Sequence, residues 1–284
     1  LILSMTKAAA SANRVSAILA LESSLDVPQE NPEEQEDAPA VEFDGVTFTY
    51  PTGGAPALSD ISFTLEHGKT LGIIGGTGSG KSTLIGLIPR FYDVQEGCVK
   101  VNGCDVRQYP LETLRRKIGL VPQKALLFKG TIRENLLWGD EGATDDAIYD
   151  ALKAAQAQEV VDGKPEGLDY EVETGGRNFS GGQRQRLTIA RALVRKPEVL
   201  ILDDSASALD FATDAALRHA LRELPWKPAV VIISQRTASI RFADEILVLD
   251  DGKLAGRGTH EELLQTCDVY REIYESQFKK EDAR

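Results

Sequence analysis

A chain of 284 residues has room for one large domain or two ordinary ones, with a sizeable buried core either way. Its 44 acidic residues against 32 basic ones leave a formal charge of -12, which argues against a globally basic nucleic-acid binder. Hydrophobic residues at 42% with charged residues at 27% exclude a disordered chain, and no apolar stretch approaches the roughly 20 residues that span a bilayer.

The segment from Leu1 to about Leu25 is rich in alanine and leucine, interrupted by Lys7 and Arg14, and reads as one amphipathic helix. It lacks the basic start and long apolar run of a signal peptide, so no targeting segment is assigned. Because the chain opens on Leu1 rather than methionine, it is expected to be cut from a longer polypeptide. Asp26 to Ala40 carries Asp26, Glu30, Glu33, Glu34, Glu36 and Asp37 with no basic residue, plus Pro28, Pro32 and Pro39. Self-repelling charge and proline predict a solvated, extended linker whose role is spacing.

From Val41 the pattern changes. Val41 to Asp44, Val46 to Tyr50, and Ile61, Phe63 and Leu65 alternate apolar with polar, the period of half-buried antiparallel strands. Later come short continuous apolar runs at Leu71–Ile74, Ile118–Val121, Val199–Leu202, Val230–Ile233 and Ile246–Leu249. Branched, strand-length runs separated by helical pattern read as parallel strands buried on both faces. The region from about Thr131 to Arg195 is mostly helical and long for one crossover, so it is read as a helical subdomain. Thr259 with Glu262 makes a capping box that opens a helical C-terminal end. Cys98, Cys104 and Cys267 have no metal or redox spacing and the three histidines form no cluster, which points to a reducing compartment.

Directly after the first apolar run comes Gly75-Gly76-Thr77-Gly78-Ser79-Gly80-Lys81-Ser82-Thr83, a phosphate-binding pattern with four residues between two glycines and then Lys and Ser. Glycines permit turns that aim successive backbone N–H groups at an anion. Lys81 supplies charge to terminal phosphates, Ser82 a hydroxyl for Mg²⁺, and the helix beginning near Lys81 its positive dipole end. The run Val199–Leu202 leads into Asp203-Asp204, which puts Asp203 at a strand's C-terminal end as the natural Mg²⁺ partner.

Between these motifs lies Asn178-Phe179-Ser180-Gly181-Gly182-Gln183-Arg184-Gln185-Arg186. Ser-Gly-Gly-Gln opening a helix shortly before the second carboxylate strand resembles the signature motif of ATP-binding cassette (ABC) ATPases. The usual leucine before the serine is Phe179 here. Ser180 can cap the helix while Gly181 and Gly182 admit a phosphate to backbone N–H groups, with Gln183 completing the motif. In that family the signature of one subunit closes over the ATP held by another. The resemblance covers essentially Val41 to Lys280. It implies that Tyr50 stacks on adenine, that Gln123 touches Mg²⁺ and the attacking water and senses the membrane domain, and that Ser207-Ala208-Leu209-Asp210 communicates between two sites. Arg184, Arg186, Arg191 and Arg195 alternate with apolar residues, which predicts a helix with a basic, solvated face rather than a nucleic-acid surface.

Two positions depart from the family pattern. The residue after the Mg²⁺ aspartate is usually glutamate; here it is Asp204, one methylene shorter, and misplacement on that scale can cost on the order of a hundredfold in rate. The strand Val230 to Ile233 should lead to a histidine that contacts the γ-phosphate, and it leads instead to Gln235, which cannot take a proton. Together they weaken one step while sparing the nucleotide-binding residues.

The expected architecture is therefore α/β: a P-loop NTPase (RecA-like) core with a mainly parallel sheet, an antiparallel β subdomain and a helical subdomain (about 131–195) carrying the signature. Residues 1–25 are expected to end the last membrane helix of an exporter, 26–40 to form the linker, and 41–284 the ATPase domain. The resemblance implies ATP and Mg²⁺ as ligands, with Lys81, Gln123, Asp204 and Gln235 in catalysis. It also implies a second nucleotide-binding domain, from a different subunit, and transmembrane domains as partners at the cytoplasmic face of the membrane. The alternatives are a homodimeric exporter with two active sites and a nucleotide-binding regulator with no transport role.

Overall fold

The computed structural model describes residues 2–20 and 25–281. Its backbone is a six-stranded sheet in the order β12-β11-β3-β10-β9-β6. The five apolar runs are its parallel strands: β3 (Thr70–Gly75), β6 (Ile118–Val121), β9 (Val199–Asp203), β10 (Ala229–Ile233) and β11 (Glu245–Asp250). Only the edge strand β12 (Lys253–Gly258) runs antiparallel, against β11.

Continuous rather than alternating hydrophobicity in these strands has a direct cause: both faces are covered. On one face Ile74, Leu202 and Ile232 pack with Leu187 and Ile189 of α7 (Gly181–Leu193). On the other, Ile73, Ile201 and Val231 pack with a four-stranded antiparallel sheet. That sheet has the order β2-β1-β4-β5, from β1 (Val41–Phe48), β2 (Leu58–Leu65), β4 (Glu96–Val101) and β5 (Cys104–Asp105). Phe43 and Phe63 stack across its β1–β2 pair with ring centroids 4.6 Å apart, so alternation here marks one buried face.

The helical unit comprises α4 (Ile132–Leu137), α5 (Asp145–Ala154), α6 (Gln158–Asp162) and α7, tied off by a two-stranded sheet of β7 (Gly130–Thr131) and β8 (Glu171–Val172). The remaining helices are α1 (Ile2–Leu19), α2 (Lys81–Leu87), α3 (Leu111–Lys117), α8 (Phe211–Arg222), α9 (Thr237–Ile240), α10 (His260–Thr266) and α11 (Asp268–Glu281). Thr259 and Glu262 form both bonds of the capping box at α10, as the sequence predicts. The N-terminal helix forms too, with Met5, Val15, Ile18 and Leu19 exposed; the end of that segment, residues 21–24, lies outside the described residues. Among the described residues no helix is long and apolar enough to cross a membrane.

Two expectations change. The arginines of α7 and Arg195 just beyond it do not form a solvated face: all four are half-buried. Arg184 donates to the carbonyls of Phe179 (2.6 Å) and Gly176, Arg186 to that of Gln156, and Arg195 to those of Gly139 (2.8 Å) and Arg115. Arg191 packs over the Phe128 ring. Arg184, Arg186 and Arg195 thus spend their donors on main-chain oxygens of neighbouring segments rather than on solvent.

The acidic linker is extended and largely exposed, yet it is more than a spacer. Glu34 bonds Lys117 at 2.9 Å and Asn102 at 2.8 Å, the Cys104 thiol donates to the Glu33 carbonyl, and buried Arg90 donates to the Asp26 carbonyl at 2.7 Å. The segment is strapped along the β subdomain.

Candidate active site

The C-terminal edge of the parallel sheet gathers the predicted residues, because β3, β10 and β9 are adjacent and in register. Ile233 stands opposite both Ile73 and Asp203, so the phosphate loop, the Ser234-Gln235-Arg236 turn and the Asp203-Asp204 pair leave the sheet side by side. The next strand, β6, pairs Val121 with Leu202 and carries Gln123 to the same edge.

The phosphate loop is built on close packing. A Cβ at Gly75 would stand 2.2 Å from the Leu249 carbonyl oxygen, so no larger residue fits the end of β3. Gly80 has φ +99 and leads straight into α2, a conformation that side chains rarely adopt. Lys81, largely buried, donates through Nζ to the carbonyls of Gly75 (2.9 Å) and Gly76 (2.6 Å) and to the Ser79 hydroxyl (3.2 Å). Burial pushes its ammonium down while Asp203 and Asp204 hold it up. Gly76, Thr77, Gly78 and Ser82 are exposed, whereas Ser79 and Thr83 are buried.

Asp203 and Asp204 face this cation. Burial raises the Asp203 carboxyl above the ordinary range, Asp204 raises it further, and Lys81 opposes both. Asp204 has φ +45, its N–H donates to the Ile233 carbonyl (2.8 Å), and its own carbonyl accepts from the Ser207 hydroxyl (2.8 Å). Its carboxylate accepts from the Gln123 amide at 3.3 Å. Tyr50, just beyond β1, brings its hydroxyl to 3.0 Å from that of Thr83 and its ring edge-on to Phe48 and Tyr92. Gln235 is exposed on its turn.

These residues also fit a divalent cation. A buried carboxyl raised by a second carboxylate is relieved by added positive charge, and hydroxyl, carboxylate and amide oxygens are the hard donors Mg²⁺ takes beside phosphates.

A family description, "ABC transporter", matches residues 58–207, which begins at β2 and takes in the phosphate loop, the signature and the aspartate pair. The chain belongs to the ABC transporter family. It is an ATP-binding domain of that family, an ATPase by membership. It is 45% identical over 281 residues to the "Uncharacterized ABC transporter ATP-binding protein YfiB" of Bacillus subtilis (strain 168), covering 99% of this chain and 48% of that protein. It is 43% identical over 273 residues to the "Probable multidrug resistance ABC transporter ATP-binding/permease protein YheI" of the same organism, covering 96% of this chain and 46% of that protein. Among solved structures, that of "a bacterial Atm1-family ABC exporter with ATP bound" superposes with a TM-score of 0.87 at 33% identity, over 96% of this chain and 48% of that one. The chain thus spans about half the length of the relatives it matches.

Within this ABC domain, among the described residues, the signature residues do not bond to the chain's own phosphate loop. Ser180 and Gln183 close a reciprocal capping box at the start of α7, with the Ser180 N–H donating to Gln183 at 3.0 Å. Phe179, the departure from the usual leucine, is buried edge-on to Tyr170 with Lys164 5.0 Å from its ring centroid, so the larger side chain is accommodated. Asp210 is bound to its own helix, accepting from the Thr213 N–H (2.9 Å) and hydroxyl (2.8 Å). Sequence reasoning missed two neighbours. Tyr92 packs 5.3 Å from Tyr50, and Gln277 of α11 bonds the turn that carries Gln235. Neither lies in a motif, and nothing local marks them.

Proposed function

We propose that this chain is one ATP-driven half of an exporter motor whose own site hydrolyses slowly and whose signature completes the active site of a different partner chain. The observation that carries this is the tether on Asp204. The backbone bonds at Ile233 and Ser207 fix its main chain, and its short carboxylate already accepts from Gln123. A glutamate at that position would reach one methylene further toward an attacking water. Gln235, in the histidine's place, donates a hydrogen bond but takes no proton. Losing well-placed base assistance costs about 10² to 10⁴ in rate, whereas the binding groups are intact.

In this reading Tyr50 stacks on adenine, the N–H groups from Gly75 to Thr83 hold phosphates, and Lys81 meets the terminal ones. Ser82, Asp203 and Gln123 would hold Mg²⁺, which when bound supplies charge neutralisation for the phosphates. Ser180, Gly181, Gly182 and Gln183 serve the partner's nucleotide, and Asp210 links the two sites. Retained nucleotide at the slow site then acts as a clamp that biases the dimer closed. The names of YheI and of the Atm1-family neighbour support a membrane domain as the other half of the protein. The exposed apolar side chains of α1 support reading it as the cytoplasmic end of the last membrane helix, with the ATPase at the cytoplasmic face.

A second reading, a homodimer hydrolysing at both sites, draws on the same bond, since Asp204 is still a carboxylate within reach of Gln123. Steady-state ATP hydrolysis at high protein concentration separates them. The parent, an Asp204→Glu/Gln235→His double variant and a Lys81→Ala blank are compared. The slow-site reading expects a parent near the blank and a variant faster by tenfold or more. A parent as active as the variant would sink it in favour of the homodimer.

A further inference from the structure

The turn bearing Gln235 has an unusual support. It joins β10 to α9, and Arg236, at the N-cap position of α9, makes no side-chain cap. Ser234 donates through its N–H to the Ile73 carbonyl, and its hydroxyl accepts from the Arg236 N–H at 2.9 Å. Two further main-chain groups, the Thr237 N–H and the Gln235 carbonyl, are taken by a residue far along the chain. Gln277 Oε1 accepts from the Thr237 N–H and from the Thr237 hydroxyl, each at 3.0 Å. Its Nε2 donates to the Gln235 carbonyl at 2.7 Å.

A single amide therefore brackets the turn on both sides of Arg236 and replaces the missing cap. Thr237 is buried, so its N–H has no water to fall back on. The loop is fixed at one end by β3, whose continuation is the phosphate loop, and at the other by α11. The exposed side chains between these anchors are Gln235 and Arg236, and of the two it is the Gln235 carbonyl that the clamp holds.

We propose that Gln277 is a positioning residue for the nucleotide site: through the Gln235 carbonyl and the Thr237 N–H it sets where Gln235 stands, so the last turns of α11 are coupled to turnover. The role rests on the reading of Gln235 as a group that addresses the nucleotide. The clamp itself does not. By linkage, a ligand held near Gln235 and a docked α11 stabilise each other by the same factor.

Two readouts test it. Amide hydrogen exchange across residues 234–240 reads the clamp directly. Gln277→Ala should speed exchange at Thr237 about tenfold, as expected for one lost main-chain bond. Gln277→Glu keeps the acceptor for Thr237 but turns an oxygen on the Gln235 carbonyl. It should leave Thr237 protected to within about threefold, the signature of a specific contact rather than general loosening. Unchanged exchange in Gln277→Ala overturns the clamp. The second readout is hydrolysis in whichever background is active, the parent or Asp204→Glu/Gln235→His. There Gln277→Ala should lower kcat severalfold with the ATP KM within twofold. It should have no further effect once residue 235 is alanine, because the two act as a unit. An equal loss with and without a side chain at position 235 overturns the positioning role. If neither background exceeds the Lys81→Ala blank, the positioning role falls together with the slow-site reading. The exchange data still judge the clamp, which tells the two failures apart.

Discussion

At Asp203 the cost of burial and the presence of a second carboxylate act in the same direction, and Lys81 offsets only part of both. The sign matters for stability. A carboxyl whose folded pKa is raised holds its proton more tightly when folded, so the stability it contributes is fully present below the unfolded pKa and is lost as pH rises through the folded one. Asp203→Asn should therefore raise the melting temperature at neutral pH. The gain should shrink as pH falls through the raised carboxyl range. Thermal unfolding followed over that range checks it, and a gain independent of pH would mean that charge is not the cause. In the proposed Mg²⁺ site the same charge would serve binding: what destabilises the domain alone is what a divalent ion would relieve. Function and local instability here share one origin.

Helix ends carry much of the local order in this fold. Three capping boxes, at Thr131, Ser180 and Thr259, each satisfy two end groups reciprocally. Thr259→Ala, away from the nucleotide residues, should cost about 1 kcal/mol, read as a lower denaturant midpoint with unchanged slope. A cost near zero would mean that α10 is held by packing of Leu263 and Tyr270 rather than by its cap. Main-chain oxygens of the helical unit are met differently, by arginines of α7 and by Arg195 just beyond it. A helix-face count at about 100° per residue puts Arg184, Arg191 and Arg195 on one side and Arg186 nearly opposite. It cannot say that carbonyls of Gly139, Gln156 and Phe179 wait opposite, since these come from other elements.

Across the whole molecule, the acidic segment ahead of β1 is joined to the sheet layers through Lys117, which pairs with Glu34 on one side and Glu198, at the foot of β9, on the other at 2.7 Å. Both carboxylates are about one-third exposed, so each pair contributes at most about 1 kcal/mol to global stability. Its effect should be local. Lys117→Met should leave the melting temperature nearly unchanged while proteolysis between residues 26 and 40 accelerates severalfold. Equal proteolysis rates would mean that Arg90 on the Asp26 carbonyl suffices to hold the strap. In the proposed exporter this segment lies between membrane helix and motor, so a docked strap transmits movement that a free tether would absorb.

The chain's own order determined a great deal. Five apolar runs became five parallel strands because a strand covered on both faces has no room for polar alternation. The phosphate loop was legible because Gly75 and Gly80 answer to backbone demands that no other residue meets, and Asp203 because strand register alone carries it to the loop. Asp204 and Gln235 were visible as departures from a motif, residue by residue. What tertiary structure decided lies in contacts between distant segments that have no period. Gln123 meets Asp204 across 81 residues, Gln277 meets Thr237 across 40, and Glu34 meets Lys117 across 83. A glutamine on a helix or a glutamate in an acidic run has the same local signature whether it faces water or a main-chain group. The partner, supplied by folding, is what turns it into a clamp or a strap.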